Sequence, residues 1–213
     1  MSRYLRSAAA ALVVLICAAS SVHADAKDDI KQSAESFGKA VRTGDTAAAH
    51  KYAITDEQTS KLLDAMTHLT KAHQKMADAA VAKFGDEGKS LGGNNMARNQ
   101  PQQFTKNLND ADIQVNGDTA TVTSKDQRGQ QVVFKKDGGI WKLDMTQFPN
   151  KEQMQQGLPM WDKMATAMSE VGDEIKAGKY NTAQEAKTAL GQKMIAAMRS
   201  MAPGAPGAPR GQQ

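Results

Sequence analysis

The chain has 213 residues, 23% of them charged and 5% aromatic, with a formal net charge of +4. So small a basic excess is no polyanion footprint, and so few aromatics offer no stacking platform, which together exclude nucleic acid as a partner. A single cysteine, Cys17, excludes a disulfide framework and cysteine-based metal centres.

Residues 1–6 are basic, 7–19 are almost continuously apolar, and Val22-His23-Ala24 ends in a small residue. That order is a secretory signal peptide, with cleavage expected after Ala24 and Ala26 as the alternative. The apolar run is too short to span a bilayer. Arg3 and Arg6 are not adjacent, which argues against a twin-arginine signal. Ile16 before Cys17 is not the small residue a lipoprotein signal wants. The chain is therefore expected to be periplasmic or secreted, without a membrane anchor once the leader is gone. What remains can bury an ordinary core without disulfides.

Residues 27–43 read as an amphipathic helix, with Ile30, Ala34, Phe37 and Val41 about one turn apart. Gly44 stops it, and Asp45 caps a short second helix running through Tyr52. Thr55 and Gln58 make a capping-box pattern that opens a helix reaching Phe84, with Gly85 behind it. Leu62, Met66, Leu69, His73, Met76, Ala80 and Phe84 form one continuous seam along it. Such a helix is about 43 Å long, so it must bend, break, or show part of its seam to a partner.

Residues 86–103 are rich in Gly, Asn and Gln and read as a loop. A β-meander follows, its first two strands (111–115 and 118–124) flanking Asn116-Gly117. That turn sets Ile113 opposite Ala120 and Ala111 opposite Val122, with Thr119, Thr121 and Thr123 on the other face. A third strand, 131–136, turns at Asp137-Gly138-Gly139 into a fourth. There Trp141, Leu143 and Met145 alternate with Lys142 and Asp144.

Helix returns with a second seam of Leu158, Trp161, Met164, Met168, Val171 and Ile175, closed by Gly178. Thr182 and Glu185 form a capping box before a last helix carrying Ala186, Leu190, Met194 and Met198. Residues 202–213 are Pro, Gly and Ala repeats that cannot bury a core, and read as a disordered tail. The expected organisation is thus a leader (1–24), one α+β domain (25–201) and a tail. Within the domain the sheet lies in 111–145 and the C-terminal helices in 151–201.

Phe37, Ala40, Val41, Gly44-Asp45 and Ala48-Ala49, with residues 113–122 and 136–144, carry a pattern that resembles the NTF2-like superfamily. More narrowly, it resembles small exported members of unknown function, over residues 27–146. The resemblance implies a cone of N-terminal helices packed on a four-stranded antiparallel meander, with a tryptophan inside. The long helix and the two helices after the sheet depart from that pattern. Enzymatic relatives use a buried Asp, His or Tyr, and no motif here carries those roles.

Gly88-Lys-Ser90-Leu-Gly92 matches a serine-hydrolase elbow, but a helix and loop precede Ser90, and no histidine follows His73. A phosphate-binding loop ending at Ser90 would need glycine at position 83, which is Lys83. His68 and His73 are five apart, so they do not form an i, i+4 metal pair.

Methionine is the outlier. Of the 12, all but Met1 follow the leader, and Met160, Met164 and Met168 recur at one-turn spacing, as do Met194 and Met198, with Met201 beyond. Core packing explains that spacing. So does an adaptable groove for client peptides, or a thioether site for Cu(I).

The leading functional expectation is a non-catalytic exported binding or scaffolding module without a cofactor. Its ligand, a small apolar molecule, would meet Phe37, Tyr52, Phe134 and Trp141 in the cone, unless these are plain core. A protein partner or a second copy of the chain is the other candidate occupant. The alternatives are a cavity enzyme of isomerase or dehydratase type, and Cu(I) handling or client binding by Met160, Met164, Met168, Met194 and Met198.

Overall fold

In the computed structural model, residues 25–92, 110–124, 131–148 and 151–201 are described. The leader and the tail expected from the sequence, and most of the loop expected over 86–103, lie outside them.

Helix α1 covers 25–43 and buries Ile30, Ala34, Phe37, Ala40 and Val41, the stripe its spacing predicts. It ends at Gly44, whose φ is +63°. A Cβ there would lie 2.6 Å from Lys71 Cβ, so a bare backbone is what lets the corner touch the next long helix. The Ala48 N–H donates to Asp45 Oδ1 at 2.9 Å and opens α2, Thr46–Lys51.

Helix α3 spans Glu57–Phe84 without a break. Its cap is one residue later than the sequence pattern suggests. Thr59 N–H donates to Asp56 Oδ1 at 2.7 Å, and Asp56 N–H donates to Thr59 Oγ1 at 2.9 Å. The carboxylate is a stronger acceptor for orphan N–H groups than the neighbouring Thr55 hydroxyl. The helix need not break because its length is shared between two cores. Leu62 and Leu63 enter the first, with Ile30, Phe37, Ile113, Val122, Phe134, Trp141, Leu143 and Met145. Met76, Ala79 and Ala80 enter the second, with Leu91, Val171, Ile175, Tyr180, Ala183 and Ala186.

A 3-10 segment, Gly85–Ser90, folds back on the end of α3. Gly88 sits so close that a Cβ would lie 2.2 Å from the Ala80 carbonyl oxygen. Beyond it, His73 Nε2 donates to the Gly92 carbonyl at 2.7 Å.

The meander is present as β2 (Asp112–Asn116), β3 (Thr119–Thr123), β4 (Gln131–Asp137) and β5 (Ile140–Asp144). It is not the whole sheet. A short strand β1, Ala53–Ile54, pairs parallel with β5, giving five strands in the order β1-β5-β4-β3-β2. Two residues have no period to read, so β1 is invisible to sequence patterning.

The first hairpin also differs in register. Ile113 pairs with Val122, and Val115 with Ala120, a shift of one inward position from the sequence expectation. Asn116 pairs with Thr119, so Gly117 (φ +58°) and Asp118 make the turn. A two-residue shift preserves the faces, so Ile113, Ala120 and Val122 are still buried together.

Three helices complete the α+β fold: α4 (Lys151–Gln156), α5 (Leu158–Lys176) and α6 (Ala183–Arg199). Helix α5 runs parallel to α3, with Lys75 Nζ donating to Ser169 Oγ at 2.9 Å and to Asp173 Oδ2 at 2.7 Å. Gly172 makes the close approach, since a Cβ on it would stand 3.1 Å from Met76 Cα. Helix α6 returns antiparallel to α5. Lys193 Nζ meets Glu170 Oε2 at 2.6 Å, and Lys163 Nζ bonds Ser200 Oγ. Its cap is Thr182, which accepts from Glu185 N–H at 3.2 Å.

Candidate functional site

Of the expected cone-lining residues, Phe37, Phe134 and Trp141 are buried, and Tyr52 packs half-buried against the same core. All four come together, but within packed core alongside Leu62, Leu63 and Leu143. One polar atom is left over. Trp141 is 2% exposed, and its Nε1–H finds no acceptor among the described residues.

Asp144, which alternates with Trp141 and Leu143 along its strand, is nevertheless 0% exposed. The unforeseen β1 is the reason: Ile54 pairs with Asp144 and closes that edge. Lys135 Nζ stands 2.7 Å from Oδ2, while Thr146 donates to Oδ1 from N at 3.1 Å and from Oγ1 at 2.5 Å. Burial pushes this carboxyl up, but the Lys135 ammonium and the Thr146 donors outweigh it and hold it below the ordinary value. A carboxylate so held stays ionised and is a poor proton donor at neutral pH.

A second ionic group locks the α5–α6 corner. The Tyr180 hydroxyl donates to Glu174 Oε2, and Lys179 Nζ lies 2.6 Å from Glu174 Oε1. Lys179 and Tyr180 pull Glu174 down to about 2. Burial, and then Glu174, push Tyr180 up to about 12. Both groups are driven away from neutrality, so this pair ties the fold together rather than moving protons.

The histidines are dispersed. His50 Nε2 donates to Asp64 Oδ1 at 2.7 Å, His73 holds Gly92, and His68 is exposed. Among the described residues no three His, Cys, Asp or Glu side chains converge as a metal site. Ser90 donates to the Glu87 carbonyl at 2.7 Å inside the 3-10 segment, and no strand leads into it.

The methionines do not form a closed core. Met160 is 40% and Met198 51% exposed, while Met164, Met168 and Met194 are half-buried. Of these, only Met168 rests against a buried cluster. Ile195, 48% exposed, extends the apolar face on α6. Helical spacing made the stripes legible in sequence. Their exposure was not legible, because the same spacing serves a core.

Among the described residues no helix is long and apolar enough to cross a membrane. Comparison with protein-family models, with curated proteins and with solved structures finds no match to this chain.

Proposed function

We propose that the chain is an exported, non-catalytic binding protein that uses the methionine-lined face of the α5–α6 hairpin. In this reading an NTF2-like frame, entered through the helix corner at Gly44-Asp45 and closed by the Trp141 hairpin, carries the hairpin as its functional addition. The observation behind it is where large apolar side chains meet solvent. Of the four large apolar side chains exposed among the described residues, Met160, Ile195 and Met198 lie on this hairpin and Val81 on α3, while the aromatics expected to line a cone are spent on the core. Methionine suits such a face because its flexible thioether adapts to what it meets. Asp144, the one fully buried carboxyl among the described residues, is held ionised by Lys135 and Thr146, which makes it a poor acid for the cavity-enzyme alternative. The leader supports an extracytoplasmic site of action.

A second reading keeps a small ligand in the cone, on the strength of the unpaired Trp141 Nε1. Bis-ANS, an apolar fluorescent probe, separates the two. In a Trp161→Phe background, which leaves Trp141 as the one tryptophan, saturable binding that is lost in Ile195→Lys/Met198→Lys, with unchanged Trp141 emission, supports the hairpin. Binding that survives this double change but quenches Trp141 emission would move the site to the cone.

A further inference from the structure

We propose that the hairpin seam is a site for a soft monovalent metal ion, Cu(I), held by Met164 and Met168 on α5 and Met194 and Met198 on α6. The inference rests on the hairpin being the binding face, and it names the ligand.

The register carries the argument. Lys193 Nζ reaches Glu170 Oε2 at 2.6 Å and Glu174 Oε1 at 3.5 Å, and Lys163 Nζ bonds Ser200 Oγ. Such cross-links set the level of the antiparallel helices to about one turn, since Lys193 alone reaches two residues of α5 that stand a turn apart. On that register Met168 stands within about a turn of the level of Met194, and Met164 within about a turn of the level of Met198.

The rotation agrees. Met164 follows Lys163 by one residue and Met194 follows Lys193 by one, and those two lysines are the side chains that cross between the helices. Met168 and Met198 stand one turn further along the same stripes. In an antiparallel pair that displacement turns both sets toward one edge of the hairpin, away from the Lys193–Glu170 bridge. Packed helices lie about 8–10 Å apart, a gap that two flexible thioether side chains span from opposite sides.

The chemistry selects the ion. Thioethers are soft, neutral donors that favour Cu(I) over hard divalent cations. No cysteine follows Cys17 to compete, and thioethers need no reduction in a compartment where thiols oxidise. Access is present, since Met198 is exposed and the other three are only half-buried. A sealed core would offer no route in.

Silver(I), a redox-stable stand-in for Cu(I), is the probe for native mass spectrometry on the chain exported through its own leader. One Ag(I) per chain is expected to be retained against excess Zn(II). Replacing all four residues (M164L, M168L, M194L, M198L) conserves volume and apolarity, so folding and bis-ANS binding persist. Outer-shell changes alone weaken metal sites by about 10–100-fold, so losing four ligands is expected to cost at least about 100-fold in Ag(I) affinity. Met154→Leu, outside the seam, is expected to change nothing. The proposal is overturned if the fourfold variant binds Ag(I) like the parent, or if the parent binds none. In either case bis-ANS binding that persists at the hairpin leaves the broader binding role standing, and its absence removes both.

Discussion

Asp144 keeps its strand's alternation, since its ion-pair partner Lys135 pairs across from Lys142 on the same face, yet it escapes exposure. Counting by twos from Trp141 and Leu143 places it outward with Lys142, and that count is right for the β4–β5 hairpin alone. Burial comes from β1, contributed by residues far back in the chain. The carboxylate then ties β4, through Lys135, to the turn at Thr146. Asp144→Asn keeps an acceptor for Thr146 but discards the charge beside Lys135. It is expected to cost about 1–3 kcal/mol at pH 7, in line with hydrogen bonds to charged groups. The folded carboxyl titrates below the ordinary value of 3.8, so its contribution is complete above that pH. It is lost as pH falls through the lower folded value. Chemical denaturation should therefore show the parent–variant gap closing as the pH is taken down from 3.8 through the lower folded value. A variant as stable as the parent at pH 7 would mean the buried group is not an ion pair.

Elements were read well where periodicity was long and poorly where it was short. The stripe of α1, the Gly138-Gly139 turn between β4 and β5 and the length of α3 all follow from spacing that the structure keeps. The Asp56–Thr59 cap, the Gly117-Asp118 turn and β1 depend on local competition among donors and on a distant strand, and spacing does not encode either. The α5–α6 corner is the element with the clearest pH signature. Glu174 is lowered from 4.5 to about 2, so its stabilisation is present above 4.5 and fades as pH falls toward 2. Tyr180 is raised from 10.0 to about 12, so its share is present below 10 and is lost as pH rises toward 12. Tyr180→Phe removes the shared hydrogen bond. Thermal scans across pH should show the variant less stable at neutrality, with a smaller further loss than the parent at either extreme. Parallel profiles for the two would mean that this bond does not set the corner's stability.

At the scale of the molecule, α3 is a spine shared by two buried clusters. Both tryptophans, Trp141 and Trp161, report on the first cluster, because Trp141 lies in it and Trp161 packs against it. Ile175 is fully buried in the second. Ile175→Ala should cost about 2–5 kcal/mol, as buried isoleucine truncations do. If the unbroken helix couples the clusters, tryptophan emission and far-UV circular dichroism will both shift to the same lower Tm. A tryptophan transition left at the parent temperature would show that the clusters unfold separately.

Taken alone, the amino-acid order determined the helical stripes, the meander, the α+β class and the identity of the unusual methionines. These are properties of spacing and turn chemistry, which act over a few residues. Only the tertiary structure decided that Asp144 is buried, that Phe37, Phe134 and Trp141 lie in packed core, and that the α5–α6 methionines stay half open. Burial is set by which distant surfaces meet, and the same four-residue spacing that fills a core can equally line an exposed seam.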